Sequence, residues 1–453
     1  AAAAGASQDF YRADGHDAIP GRGSLAALTV AGAVSGWQEA LRISLEWEGR
    51  IPLARLFEDA IHYAKHGVPV TQTQHANTET KRAELEPVPS FADVFLPEGA
   101  APPVGALFRQ PKLAEKLRHL AESGLDDFYR GDLARLMASE LEAAGSPLRL
   151  ADLEAHAAQR VAPLALALAG ARVFNMPPPT QGIASLMILG IFERLDRPEP
   201  ESTAYVHGLV EAAKRAFLVR DAHVTDPAYM TVDPSDFLTD AALAERAADI
   251  DADKALPWPQ PAAPGDTVWL GAIDGAGRAV SFIQSVYWEF GSGLVLPRSG
   301  VLWQNRGTSF ALDDGATNAL KPGRKPFHTI QPAMALFADG RVMPYGTMGG
   351  EGQPQTQSAL YTRYAHYGQG LQEAVAAPRW LLGRTWGADI TNLRLESRFS
   401  DEIVTALKAA GHDVELVGPM DEVMGHAGAL VRHPDGTIEG ASDPRSDGAV
   451  AGF

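Results

Sequence analysis

Apolar residues recur at three- and four-residue steps through the first part of the chain. From Val34 to Gly67 the recurring positions are Trp37, Ala40, Leu41 and Leu45, then Leu53, Leu56, Phe57, Ala60 and Ile61. Gly49-Arg50-Ile51-Pro52 divides this stretch into two helices. Lys112–Ser123 and Gly131–Ala144 predict two more, each followed by glycine, and Leu150–His156 starts another. Arg172–Asn175 predicts a short strand that stops at Met176-Pro177-Pro178-Pro179. Gly182–Leu195 and Tyr205–Asp221 predict strongly amphipathic helices, and Ala241–Ile250 a weaker one.

The pattern changes after Ala255–Gly265, whose Pro257, Pro259, Pro261 and Pro264 mark an extended linker. Thr267–Ile273, the turn Asp274-Gly275-Ala276-Gly277 and Ala279–Val286 predict a β-hairpin. Further strands are predicted at Val301–Gln304, Ala333–Phe337, Val342–Gly346, Leu393–Glu396, Asp413–Leu416 and Ala429–Arg432. Helices fit Gln355–Tyr367 and Ser400–Ala410. The chain therefore splits into a mostly helical region, 1–266, and a mixed region, 267–453.

Composition narrows the chemistry. The 453 residues are 45% hydrophobic and 21% charged, ordinary for a globular chain with a sizeable core. No cysteine is present, which excludes disulfides, thiolate nucleophiles and cysteine zinc sites. A formal charge of −17 argues against nucleic acid as a partner, because phosphate contact needs a basic surface. The acidity is uneven: residues 1–266 hold 24 Lys and Arg against 37 Asp and Glu, and residues 267–453 hold 15 against 19. Apolar runs such as Leu164–Ala171 and Ile183–Phe192 fall short of the ~20 residues of a membrane span. Ala1–Ala4 lacks the basic flank of a signal peptide, so cytoplasm and periplasm both stay open as the compartment.

Three segments carry candidate chemistry. Gly265-Asp266-Thr267-Val268-Trp269 joins the proline linker to a strand. Taken alone it is a turn into a hairpin. Cut at Asp266–Thr267, it gives Thr267 a hydroxyl and a free α-amine, and an amine of pKa about 7.7–8.0 accepts the hydroxyl proton near neutrality. Gly346-Thr347-Met348-Gly349-Gly350-Glu351-Gly352 lets backbone approach a ligand, and its N–H groups suit an oxyanion. It has neither the ending of a phosphate loop nor the spacing of a dinucleotide loop. Lys325-Pro326-Phe327-His328-Thr329-Ile330-Gln331-Pro332 offers His328 as a base, although a lone histidine is more often structural. His62 and His66 have zincin spacing, but Tyr63 stands where the glutamate belongs. Phe290-Gly291-Ser292-Gly293 lacks the first glycine of a hydrolase elbow.

Together these segments resemble the γ-glutamyltranspeptidase family, colinearly over nearly the whole chain. Leu28–Trp37, Asn175–Ile183, Glu211–Phe217, Gly265-Asp266-Thr267, Gly349-Gly350 and Gly440–Gly448 carry the resemblance. It implies a four-layer αββα sandwich of the N-terminal-nucleophile hydrolase type, made as one precursor and split at Asp266–Thr267 into a large subunit, 1–266, and a small subunit, 267–453. It implies Thr267 as nucleophile, Ser285 as its support, and Gly349 and Gly350 as the oxyanion hole. No cofactor or metal is implied.

The departures bear on substrate. The family holds a γ-glutamyl head group with an Asn, a Gln or Glu, and an Asp. By register those positions are Tyr287, Arg306 and Ser309 here. The paired serines before the Gly-Gly loop become His328 and Thr329. A cation has replaced the acid that meets a substrate ammonium, so the expected substrate is a small acidic amide. Arg306 would grip its carboxylate, with His328 and Thr329 beside it. This resembles the oxamate amidohydrolase-like branch and some acylase-like members. The plainer reading pairs Arg306 with Glu289 or Asp313. The glycine-rich strand–loop and arginine that open the family's large subunit have no counterpart in these 453 residues. Two other enzymatic readings are a γ-glutamyl hydrolase or transpeptidase and a cephalosporin-type acylase. A non-enzymatic one is an uncleaved binding protein on the same scaffold.

Overall fold

Helix starts are set by short polar side chains. Thr71, Ser202 and Ser400 each accept a hydrogen bond from the backbone N–H three residues on, which satisfies a donor that the first helical turn leaves open. The computed structural model describes residues 1–258, 266–383 and 391–453. Most of the expected linker, residues 259–265, lies outside the described residues.

The chain forms two compact units. The first comprises 1–160 and 288–326. It holds helices α1 (Gln8–Ala13), α2 (Ala33–Glu46), α3 (Leu53–His66), α4 (Gln72–Leu85), α5 (Phe91–Phe95), α6 (Pro111–Ser123), α7 (Asp127–Arg130), α8 (Asp132–Ala143) and α9 (Leu150–Glu154). Two short strands, β1 (Val68–Pro69) and β2 (Leu107–Phe108), pair antiparallel. Tyr11, Leu28, Phe91, Tyr129, Met137 and Trp303 are buried in its core. The strand expected at Val301–Gln304 does not form. A single bridge joins Val295 to Leu302, and Gly300, just before the run, takes positive φ. Ser292 is fully buried and donates to the Trp303 carbonyl, so the elbow-like segment is structural.

The second unit comprises 161–287 and 327–453. Its strands are β3 (Leu164–Leu168), β4 (Ala171–Asn175), β5 (Asp266–Ile273), β6 (Ala279–Tyr287), β7 (Ala333–Phe337), β8 (Val342–Thr347), β9 (Trp380–Leu382), β10 (Leu393–Glu396), β11 (Val414–Val417), β12 (Ala427–Arg432) and β13 (Ile438–Ser442). A six-stranded antiparallel sheet runs β13-β12-β8-β7-β4-β3, and a smaller sheet runs β11-β10-β9. Helices α10 (Gly182–Phe192), α11 (Thr203–His223), α12 (Asp240–Ala248), α13 (Gln353–Tyr361), α14 (Leu371–Ala376) and α15 (Asp401–Ala409) complete it. The β5–β6 hairpin packs against β8 and β12. Helices α10 and α13 also pack on the large sheet, so helix, sheet and hairpin stack as in the expected αββα frame.

Neither α10 nor α11 is an amphipathic surface helix. All eleven residues of α10 are buried, because β3 and β4 adjoin it and α11, α12 and α13 surround it. No helix among the described residues is long and apolar enough to cross a membrane.

Candidate active site

Trp269 seats the hairpin. A Cβ added to Gly346 on β8 would lie 2.1 Å from its indole, and one added to Gly428 on β12 would lie 2.5 Å from it. Only glycine admits so close an approach. Trp269 Nε1 donates to Ser281 Oγ at 2.9 Å, and Ser281 Oγ donates to the Tyr345 carbonyl at 3.3 Å. Moving along β5 toward Thr267 therefore moves along β8 from Tyr345 to Gly346, toward the departure of the Gly349-Gly350 loop.

A bulge sits at Thr267. Asp266 pairs with Tyr287 but Val268 with Gln284, so Ser285 and Val286 together oppose Thr267. This brings Thr267 Oγ1 to 3.1 Å from Ser285 Oγ, to which it donates. Ser285 Oγ also accepts from the Tyr287 N–H at 2.8 Å. Tyr287 is buried and has φ 82°, a left-handed conformation costly for a bulky residue. Strain and bulge thus meet beside the expected nucleophile.

The glycine loop is held from below. The Gly349 carbonyl accepts from the Gly352 N–H at 2.7 Å. Gln181 Nε2 donates to the carbonyls of Thr329 and Gly350 at 2.8 and 2.7 Å. His328 joins the same cluster through its backbone, donating to the Pro179 carbonyl and accepting from the Gln181 N–H. Its Nδ1 accepts from the Ile330 N–H at 3.2 Å, which leaves Nε2 as the protonated nitrogen of the neutral ring. Arg220 reaches Gln181 Oε1 at 3.0 Å and Glu351 Oε2 at 2.8 Å. Burial lowers its pKa, but the carboxylates of Asp221 and Glu351 outweigh that and raise it, so the cation is firmly held.

Within this unit the structure gathers Thr267, Ser285 and Tyr287 in one group, and Gly349, Gly350, His328 and Thr329 in another. Gln181, Arg220 and Glu351 were not singled out by the sequence. A polar residue just after a proline block is the local sequence signal for Gln181, and its burial shows only in the structure.

In the first unit, Arg306 is buried at the head of a 3₁₀ turn, Arg306–Ser309, and its N–H donates to Gln304 Oε1. The guanidinium of Arg22 lies 4.0 Å from Glu289, one of the carboxylates considered for Arg306. Burial raises the Glu289 pKa.

His207, Glu211 and His412 have ligand atoms within 4.8 Å of one another, all buried. Their lone pairs are committed. Glu211 accepts from Lys214 at 2.7 Å and Arg215 at 2.5 Å, and also from the Leu256 N–H. His207 Nε2 meets the Asp251 carbonyl at 2.8 Å, so its Nδ1 accepts from His412 Nε2 at 2.9 Å. Burial, then Lys214, lowers the His412 pKa to about 4. Two cations against one carboxylate do not suit a metal ion. The cluster instead fastens Asp251 and Leu256 to α11.

The sequence profile of the gamma-glutamyltranspeptidases matches residues 1–453. The chain belongs to the gamma-glutamyltranspeptidase family. It is 54% identical over 449 residues to the oxamate amidohydrolase proenzyme of Klebsiella pneumoniae, covering 99% of this chain and 85% of that protein. It is 42% identical to a glutathione hydrolase-like proenzyme of Bacillus subtilis, over 99% of this chain and 84% of that one. The structure superposes on a cephalosporin acylase from Bacillus halodurans with TM-score 0.90 and 33% identity, covering 100% of this chain and 83% of that one. This gamma-glutamyltranspeptidase-family chain is thus an amide-bond hydrolase with the N-terminal-nucleophile fold, of a kind made as a proenzyme and autoprocessed.

Proposed function

We propose that Thr267 is the nucleophile of this amidohydrolase and that its substrate is a small acidic amide of the oxamate type. The observation that carries the reading is the bulged strand start, where Ser285 fixes the Thr267 hydroxyl at 3.1 Å. In the precursor, Thr267 Oγ1 attacks the Asp266 carbonyl carbon. The C–N bond breaks, the Thr267 nitrogen takes the hydroxyl proton, and water hydrolyses the resulting ester. The new α-amine then serves as base for the same hydroxyl. Thr267 attacks the substrate amide, and the N–H groups of Gly349 and Gly350 stabilise the oxyanion. The leaving nitrogen departs protonated as an amine or ammonia, and water releases the acid from the acyl-enzyme. Arg306 is assigned the substrate carboxylate, with Tyr287, His328 and Thr329 as further substrate contacts.

Denaturing mass analysis tests the first step. The wild type yields two fragments meeting at 266/267, and Thr267→Ala stays one inactive chain. A wild type that remains intact overturns the reading. Turnover of oxamate against a γ-glutamyl anilide tests the second. The glutathione hydrolase-like relative favours the anilide, whereas replacement of the head-group residues by Tyr287, Arg306 and Ser309 favours oxamate.

A further inference from the structure

We infer that Gln181 is a positioning residue for this chemistry, which sets the plane of the Gly350 peptide and is itself set by Arg220. The inference rests on the reading of Gly349 and Gly350 as oxyanion donors.

Gly349 and Gly350 have φ of 125° and 50°, and neither has a side chain to restrict its rotation. Their orientation must therefore be imposed by partners. A trans peptide points its N–H opposite its C=O, so fixing a carbonyl aims the N–H of the next residue. The Gly349 carbonyl is fixed by the Gly352 N–H within the loop itself. The Gly350 carbonyl belongs to the following peptide, whose N–H is that of Glu351; Gln181 Nε2 fixes it from outside and so anchors the chain on the C-terminal side of the Gly350 donor. Gln181 is fully buried, and the second hydrogen of the same NH₂ goes to the Thr329 carbonyl. One carboxamide thus straps the 328–329 segment to the glycine loop.

Arg220 decides which way that carboxamide faces. Its Nη1 donates to Gln181 Oε1, so the NH₂ end must face the two carbonyls. Its Nη2 donates to Glu351, the residue after Gly350. The Gly350 carbonyl, through Gln181, and the Glu351 side chain are therefore both tied to one planar guanidinium. A lysine cannot reproduce that fork. Asp221 holds Nε at 2.7 Å, and the Phe217 ring lies 4.1 Å from the guanidinium carbon, which leaves the fork little freedom.

Three variants test the strap, with turnover counted per cleaved Thr267 by mass analysis. Gln181→Met removes both donors. Gln181→Glu keeps the acceptor that Arg220 needs but loses the donors. Arg220→Lys keeps the charge and loses the fork. Each is expected to lower kcat, by at most the about 10²-fold typical of losing one oxyanion donor, with KM little changed. Gln181→Glu is further expected to regain activity as pH falls, because a protonated carboxyl donates to one carbonyl. Gln181→Met has no such proton and keeps the shape of the wild-type profile, so the ratio of Gln181→Glu to Gln181→Met turnover is expected to rise as pH falls. Should Gln181→Met not fold, the pH profile of Gln181→Glu decides. Normal kcat in the folded variants, or a Gln181→Glu profile that follows the wild type, overturns the strap and leaves Thr267 untouched. An active Thr267→Ala overturns the nucleophile assignment instead.

Discussion

The position of Thr267 at a strand head was legible from its neighbours in sequence, whereas its hydrogen bond to Ser285 was not fully so. A threonine after Gly-Asp at a strand head and a serine on the returning strand are local signals. The bulge that brings Ser285 to Thr267 is a register shift, which alternation alone does not show. Gln181 was less legible still, because its partners Arg220 and Gly350 stand 39 and 169 positions away. Ser285→Ala removes one hydrogen bond from Thr267, the proposed nucleophile. Taking that bond as about 1.4 kcal/mol, kcat falls about tenfold, as steady-state kinetics on fully cleaved protein will measure. Ser285→Thr keeps the hydroxyl and retains most of the activity.

Among the elements, the hairpin β5–β6 was predicted nearly to its ends because one strand face is apolar and its turn is glycine-rich. The sequence does not show that the hairpin is seated by one indole over two glycines of other strands. Gly346→Ala places a Cβ 2.1 Å from Trp269, so the hairpin must shift or the indole must leave. Overpacking of this kind costs about 1–3 kcal/mol. Chemical denaturation is expected to show that loss, and Trp269→Leu in the same chain to recover part of it. Helix α10 was misread as amphipathic although Gly182–Phe192 contains almost no polar residue. A stretch apolar on all sides belongs inside, and only the surrounding helices and sheet explain why. The Val301–Gln304 run forms one bridge instead of a strand, directly after Gly300 at positive φ.

Across the whole molecule, the second unit is held by a buried ionic lattice near its C-terminal end. Asp443 meets Arg379 at 2.5 Å and Arg445 at 3.0 Å, and Arg445 meets Glu396 at 2.6 Å. Burial raises the pKa of both carboxylates, but the arginines outweigh it and hold both below the ordinary range. A depressed folded-state pKa contributes stability above the unfolded value, lost as pH falls through the folded one. The thermal midpoint is therefore expected to drop as pH falls below about 4, where free carboxylates titrate. Glu396→Gln leaves Arg445 short of charge in the interior and costs up to about 3–5 kcal/mol, as urea unfolding will report. The compact units do not follow the division at 266/267, since 1–160 joins 288–326, and 161–287 joins 327–453. With the proposed cut made, each unit would be an assembly of two polypeptides, and neither fragment would own one. Unfolding the mature enzyme thus converts a one-chain folding problem into a bimolecular one. Under that proposal, refolding yield of the Thr267→Ala precursor is expected to be insensitive to dilution and that of the cleaved enzyme to fall with it, so maturation by cleavage would make the native state hard to re-enter once it is lost.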